Sequence, residues 1–125
     1  MSRWTSEELN KIGKAEELKL ASVRSDGSLR RPVTMWVVRL GDDLYVRSVR
    51  GRTSSWFRGA QTRHEAHVQA GSAEKDVDLV EIDDTNDDLD RAYRAKYGDR
   101  YASIVPSIVT PEARSATLRL EPREQ

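Results

Sequence analysis

Apolar and polar residues alternate in short blocks along most of the chain, which is the period of half-buried strands, and shift to helical spacing in three places. Residues 17–24 (ELKLASVR) alternate as a strand and run into Ser25, Asp26, Gly27 and Ser28, a turn in which glycine can take positive φ. Residues 31–40 (RPVTMWVVRL) are rich in β-branched and aromatic side chains, with Pro32 at the start, where a missing N–H is tolerated. Gly41, Asp42 and Asp43 turn the chain back into a third strand at 44–49. Further alternation predicts strands at 63–70, 76–83 and 116–122, with Pro106 and Pro111 bracketing a loop or short extended piece. Thr5 with Glu8 fits a capping box ahead of Leu9 and Ile12. Ser54 caps a short helix over 54–60, and Thr85 with Asp88 opens a third helix. Leu89, Ala92, Tyr93 and Tyr97 line one face of that helix, and Gly98 ends it. On it, Asp87–Arg91 and Asp90–Arg94 are spaced as i,i+4 ion pairs.

The resulting order, α-β-β-β-α-β-β-α-β, predicts a mixed β/α chain that is mainly β. Short turns make the sheet antiparallel, and six strands close into a small barrel with short flanking helices. Length and the absence of a repeat or linker predict a single domain over 1–125. Apolar residues make up 37% of the chain and charged residues 34%, a lean core that a subunit interface would complement. Cysteine is absent, which excludes disulfides and thiolate metal sites. No apolar stretch reaches signal-peptide or bilayer length, so the expectation is a cytoplasmic protein without a membrane partner. The formal charge of zero argues against a nucleic-acid partner.

Charge distribution changes the picture more than its total. Arg47, Arg50, Arg52 and Arg58 fall in a window without an acid, whereas residues 74–90 hold nine acids and one lysine. The segment LYVRSVRGRTSSWFRGAQ collects Arg47, Ser48, Arg50, Arg52, Thr53 and the cap Ser54 where a strand gives way to a helix. Guanidinium groups, hydroxyls and free N–H groups of a first helical turn together suit a doubly charged phosphate. Gly51 would let the backbone approach such a ligand. The bland alternative is a solvated arginine loop. His64 and His67, three apart on a strand, point to opposite faces, so no metal site is expected. Ser48 has no nucleophile-elbow context, no carboxylate pair stands out, and no catalytic residue is assigned. Tyr93, Tyr97 and Tyr101 read as packing residues.

A strand ending in Ser, then Gly and a Trp-led short helix, resembles the phosphate-binding region of split-barrel flavin and deazaflavin proteins. These are the pyridoxamine 5′-phosphate oxidase-like and deazaflavin-dependent nitroreductase-like families. From Trp4 through RPVTMWVVR, LYVRS, WFRGA and RAYRAKYG, the chain is similar to an uncharacterised bacterial family grouped with those barrels. The resemblance implies an FMN or deazaflavin phosphate near Arg47, Ser48, Arg50, Arg52, Thr53 and Ser54. It sets Thr34, Trp36 and Trp56 closer to the ring system. It also implies a homodimer with the cofactor at its interface, and an oxidoreductase transferring hydride to a small molecule. The chain departs from the pattern in lacking an Arg-x-x-x-Leu-Lys strand element, since Pro32 and Val33 follow Arg31. A cofactor-free barrel binding a small anionic ligand or a protein partner therefore stays open.

Overall fold

The apolar run from Val33 to Leu40 does not form one strand. In the computed structural model, which describes residues 3–123, it divides at Trp36–Val37 into two. The strands are β1 (Leu18–Ser22), β2 (Val33–Met35), β3 (Val38–Leu40), β4 (Asp43–Arg47), β5 (Glu65–Ala70), β6 (Ala73–Ile82) and β7 (Thr117–Pro122). All pair antiparallel in the order β2-β1-β5-β6-β7-β4-β3. Its two edges are thus successive pieces of chain, and the sheet curls into a half-barrel. The six strands expected are seven because the second bends midway: its first half pairs with β1, its second half with β4. Both hairpins form as expected, with Gly27 (φ 92°) and Gly41 (φ 63°) at their turns.

A bend inside a ladder takes backbone groups out of it, and buried polar groups of this kind need other partners. The helix α3 (Asn86–Tyr97) supplies them. The Val37 N–H donates to the Tyr97 hydroxyl (3.3 Å), and Lys96 Nζ donates to the Val37 carbonyl (2.6 Å). The hydroxyl's single proton lies within reach of two acceptors, the carbonyls of Glu16 (2.9 Å) and Val37 (3.2 Å). Trp36 completes the joint by stacking on the Tyr97 ring, with centroids 4.0 Å apart and planes within 5°. Burial lowers the Lys96 ammonium to about 8.

The remaining helices close the ends. α1 (Ser6–Lys14) carries the expected capping box and buries Leu9 and Ile12, while Trp4 donates to the Leu120 carbonyl (2.9 Å). α2 (Ser55–Arg63) extends past the expected end, because His64 terminates it in the left-handed region (φ 56°). The following strand consequently starts at Glu65, so His64 is not a strand residue. Thr85 precedes α3, but its hydroxyl makes no cap and is buried without a partner. Each proline instead falls at the start of a helical turn, Pro106 in a 3₁₀ turn (Val105–Ile108) and Pro111 in a short helix α4 (Pro111–Arg114) capped by Thr110, rather than bracketing a loop or extended piece. Proline's fixed φ suits a first helical position, which accounts for Pro111. One core fills the barrel around Leu20, Val46, Phe57 and Leu118; a second lies between β3, β4 and α3 around Tyr45, Tyr93 and Tyr97. Among the described residues no helix is long and apolar enough to cross a membrane.

Replacing Tyr97 with Phe keeps the stacking surface but strips Val37 N–H of its acceptor. The Tyr97→Phe variant should lose about 1–3 kcal/mol in urea unfolding. An unchanged midpoint would show that the bend does not depend on this hydroxyl.

Candidate functional site

The junction between β4 and α2 forms one wall of a cleft of about 340 Å³. Val33, Thr34, Met35 and Trp36 face it from the other side, and Ile104, Ser107 and Ile108 close its end. Of the nine residues expected here, the cleft brings together Thr34, Trp36, Arg47, Ser48, Arg50, Ser54 and Trp56. Arg52 and Thr53 do not line it. The sequence reading missed its apolar walls. Val33 and Met35 share the strand with Thr34 and were within reach of the alternation pattern, whereas Ile104 and Ile108 had no periodic signal.

Arg47 sits here in a role other than that expected. It is 2% exposed, and its guanidinium makes five hydrogen bonds within the fold. Nε donates to Thr117 Oγ1 (3.1 Å); Nη1 to Asp90 Oδ1 (2.5 Å) and the Ile108 carbonyl (3.1 Å). Nη2 donates to the carbonyl (3.2 Å) and the side chain (3.0 Å) of Asn86. A guanidinium has five N–H donors, so none is left for a ligand. Asp90, 1% exposed, also takes Arg114 Nε (2.9 Å) and Nη2. It therefore faces inward and makes no pair with Arg94. Asp87 likewise turns to Arg114, leaving Arg91 to bond Asp88 (2.7 Å), so neither expected i,i+4 pair forms. Burial opposes the Asp90 charge, but hydrogen bonds from Arg114 and Arg47 outweigh it and hold the carboxyl below its ordinary range.

The other arginines divide. Arg52 bonds Glu81 (2.8 Å) and the Ser115 carbonyl (2.9 Å), with its guanidinium 5.3 Å from the Phe57 ring centre. Arg58 is exposed and does not line the cleft. Arg50 does line it, and its guanidinium has no partner among the described residues. Gly51, with φ of 76°, is buried against Glu112 of α4, where a Cβ would lie 3.2 Å from the carbonyl oxygen. Its missing side chain thus makes room for α4 rather than for a ligand.

Two hydroxyls complete the polar end. Ser48 Oγ and Ser54 Oγ lie 2.7 Å apart, and Ser54 also accepts the Phe57 N–H (3.4 Å). Two hydroxyls sharing one hydrogen bond leave one proton for a third acceptor. Ser54 and Trp56 bring the first turn of α2 to the cleft, where helix geometry leaves N–H groups without internal partners. At the rim, Val49 and Ile104 are each 49% exposed.

The histidines lie elsewhere. His64 Nε2 is 3.6 Å from Glu81, and His67 is held between Asp76 (2.9 Å) and Glu74 (3.1 Å), whose hydrogen bonds raise its pKa in that order.

A family model spans residues 8–120 of this chain. The chain belongs to the family described as "uncharacterized protein conserved in bacteria (DUF2255)". No curated protein matches it. Solved structures show which fold this DUF2255 member shares. The heme storage protein HutZ from Vibrio cholerae superposes with a TM-score of 0.66 at 13% identity, covering 98% of this chain and 92% of that one. A putative pyridoxamine 5′-phosphate oxidase from Listeria innocua gives 0.59 at 16%, covering 94% and 90%. An F420 reductase gives 0.54 at 16%, covering 94% and 92%. At such identities the likeness is one of fold, and the DUF2255 chain shares the split barrel that its sequence resembled.

Asp90→Asn keeps the shape of the buried carboxyl and removes its charge beside Arg47. It should cost about 3–5 kcal/mol, the penalty for a buried ion left unpaired. Arg52→Ala, in a half-exposed pair, should cost no more than about 1 kcal/mol. The pH dependence follows from the lowered Asp90 value. Its stabilisation is complete above the unfolded carboxylate pKa of about 3.9 and is lost as pH falls through the folded value. Asp90→Asn should therefore flatten the acid limb of the stability curve, and an unaltered limb would contradict the pairing.

Proposed function

We propose that the cleft receives the ring of a flavin or deazaflavin and that this DUF2255 protein is an oxidoreductase transferring hydride to a small molecule. One observation carries the reading. Two indoles, Trp36 and Trp56, share a mainly apolar cleft that also holds the Ser48–Ser54 pair and Arg50, whose guanidinium has no partner among the described residues. Flat aromatic walls suit a planar ring, and the polar end suits an anionic tail. The volume of about 340 Å³ falls inside the usual range of roughly 300–1,000 Å³ for cofactor sites. Trp36 would wall the ring, held in place by Tyr97, while Ser48, Ser54, the first turn of α2 and Arg50 would hold the tail. A bound flavin-type ring supplies the redox chemistry, and the chain's part is to bind, orient and shield it. A second copy of the chain, seated on Val49 and Ile104, would cover the open side. The names of the F420 reductase and the pyridoxamine 5′-phosphate oxidase relatives support this reading.

The heme named for HutZ fits these residues less well. Heme iron takes an axial His, Met, Cys or Tyr ligand; here both histidines lie outside the cleft, and among the described residues Met35 is the one such residue lining it. A cofactor-free barrel binding a small anion has one observation in its favour: the internal engagement of Arg47 and Arg52 weakens the polar end as a receptor.

Titration of the protein with riboflavin, FMN and a deazaflavin, followed by tryptophan fluorescence, separates these readings. Saturable quenching is expected, with Trp36→Ala and Trp56→Ala each weakening affinity about tenfold, the scale of one lost aromatic contact in a desolvated site. Absence of binding by all three would favour the cofactor-free barrel.

A further inference from the structure

The charge available at the polar end of the cleft is smaller than the arginine-rich sequence suggests. Arg47 makes all five of its hydrogen bonds to Asp90, Asn86, Thr117 and Ile108. Asp90 balances it at 2.5 Å, and Arg52 is balanced by Glu81 at 2.8 Å. Lys96, behind the Trp36–Val37 joint, has its ammonium on the Val37 carbonyl. Among the described residues lining the cleft, the one cationic side chain without an internal partner is that of Arg50, and Ser48 and Ser54 have one spare hydroxyl proton between them. Among the cleft residues there is no second unpaired cation.

We infer that the cleft selects a ligand whose anionic end carries a single negative charge, a phosphodiester or a carboxylate, and gives no preference to a phosphomonoester dianion. The inference rests on the reading of the cleft as a flavin-type site and narrows its ligand class. Among the described residues lining the cleft, a second negative charge meets no second unpaired cation. Its loss of hydration is then uncompensated, because a buried charge is tolerated only when paired. A receptor with two free guanidinium groups would behave otherwise, since each further charged hydrogen bond is worth about tenfold or more in affinity.

Three ligands with the same ring test this: riboflavin, which is neutral, the methyl phosphodiester of FMN, which carries one charge, and FMN. Binding is measured near pH 8, where a phosphomonoester, with a second pKa of about 6, is almost fully dianionic. The methyl ester should bind at least as tightly as FMN, and about tenfold or more tightly than riboflavin. In Arg50→Gln, an exposed position where folding is not at stake, both charged ligands should fall toward riboflavin's affinity by similar factors. FMN binding more than about threefold tighter than its ester would overturn the inference while leaving the flavin reading intact. Charged ligands binding no better than riboflavin would overturn it as well. If none of the three binds, the flavin reading falls and takes this inference with it.

Discussion

The guanidinium of Arg47 ties together parts of the chain that lie far apart in sequence. It reaches from β4 to Thr117 on β7, to Asn86 and Asp90 at the start of α3, and to Ile108 in the 3₁₀ turn. A buried cation is tolerable only with a counter-ion and with its donors satisfied, and both conditions are met. The same contacts shape the cleft, because Arg47 and Ile108 both line it. Stability and site shape therefore depend on one cluster, and Asp90 at its centre also anchors Arg114 of α4.

A second joint works on the opposite wall. The sheet closes because Val33–Leu40 changes partners at Trp36–Val37, and α3 supplies Tyr97 and Lys96 to the backbone freed there. The bend also turns the Trp36 ring onto Tyr97 while leaving it on the cleft. α3 thus fixes the cleft from two sides, through Asp90 beneath Arg47 and through Tyr97 behind Trp36.

Much of this was legible in the sequence because its signals are local. Alternation marks the strands, Thr5 with Glu8 and Ser54 mark helix starts, and Gly27 and Gly41 mark hairpin turns. The β4–α2 junction was legible as the place of a candidate site, from the gathering of Arg, Ser and Trp there, and a cleft opens beside it. What could not be read locally is pairing across the fold. Arg47 and Asp90 are 43 positions apart, so a window of arginines without acids looked like free charge. A signal for Asp90 did exist: it stands at i relative to Tyr93 (i+3) and Tyr97 (i+7), on the buried face of α3, where a carboxylate needs a cation. The change of strand partners at Trp36 had no such mark, because a continuous apolar run reads the same whether or not it bends.

In the proposed flavin-type site, Arg47 serves the fold and Arg50 meets the ligand. Side-chain ¹⁵N NMR of the arginine Nε–H groups during titration with FMN tests this division directly. The Arg50 signal should move on binding while the Arg47 signal stays in place and remains protected from solvent exchange. An Arg47 signal that shifts and loses protection as ligand binds, with Arg50 unmoved, would contradict the account.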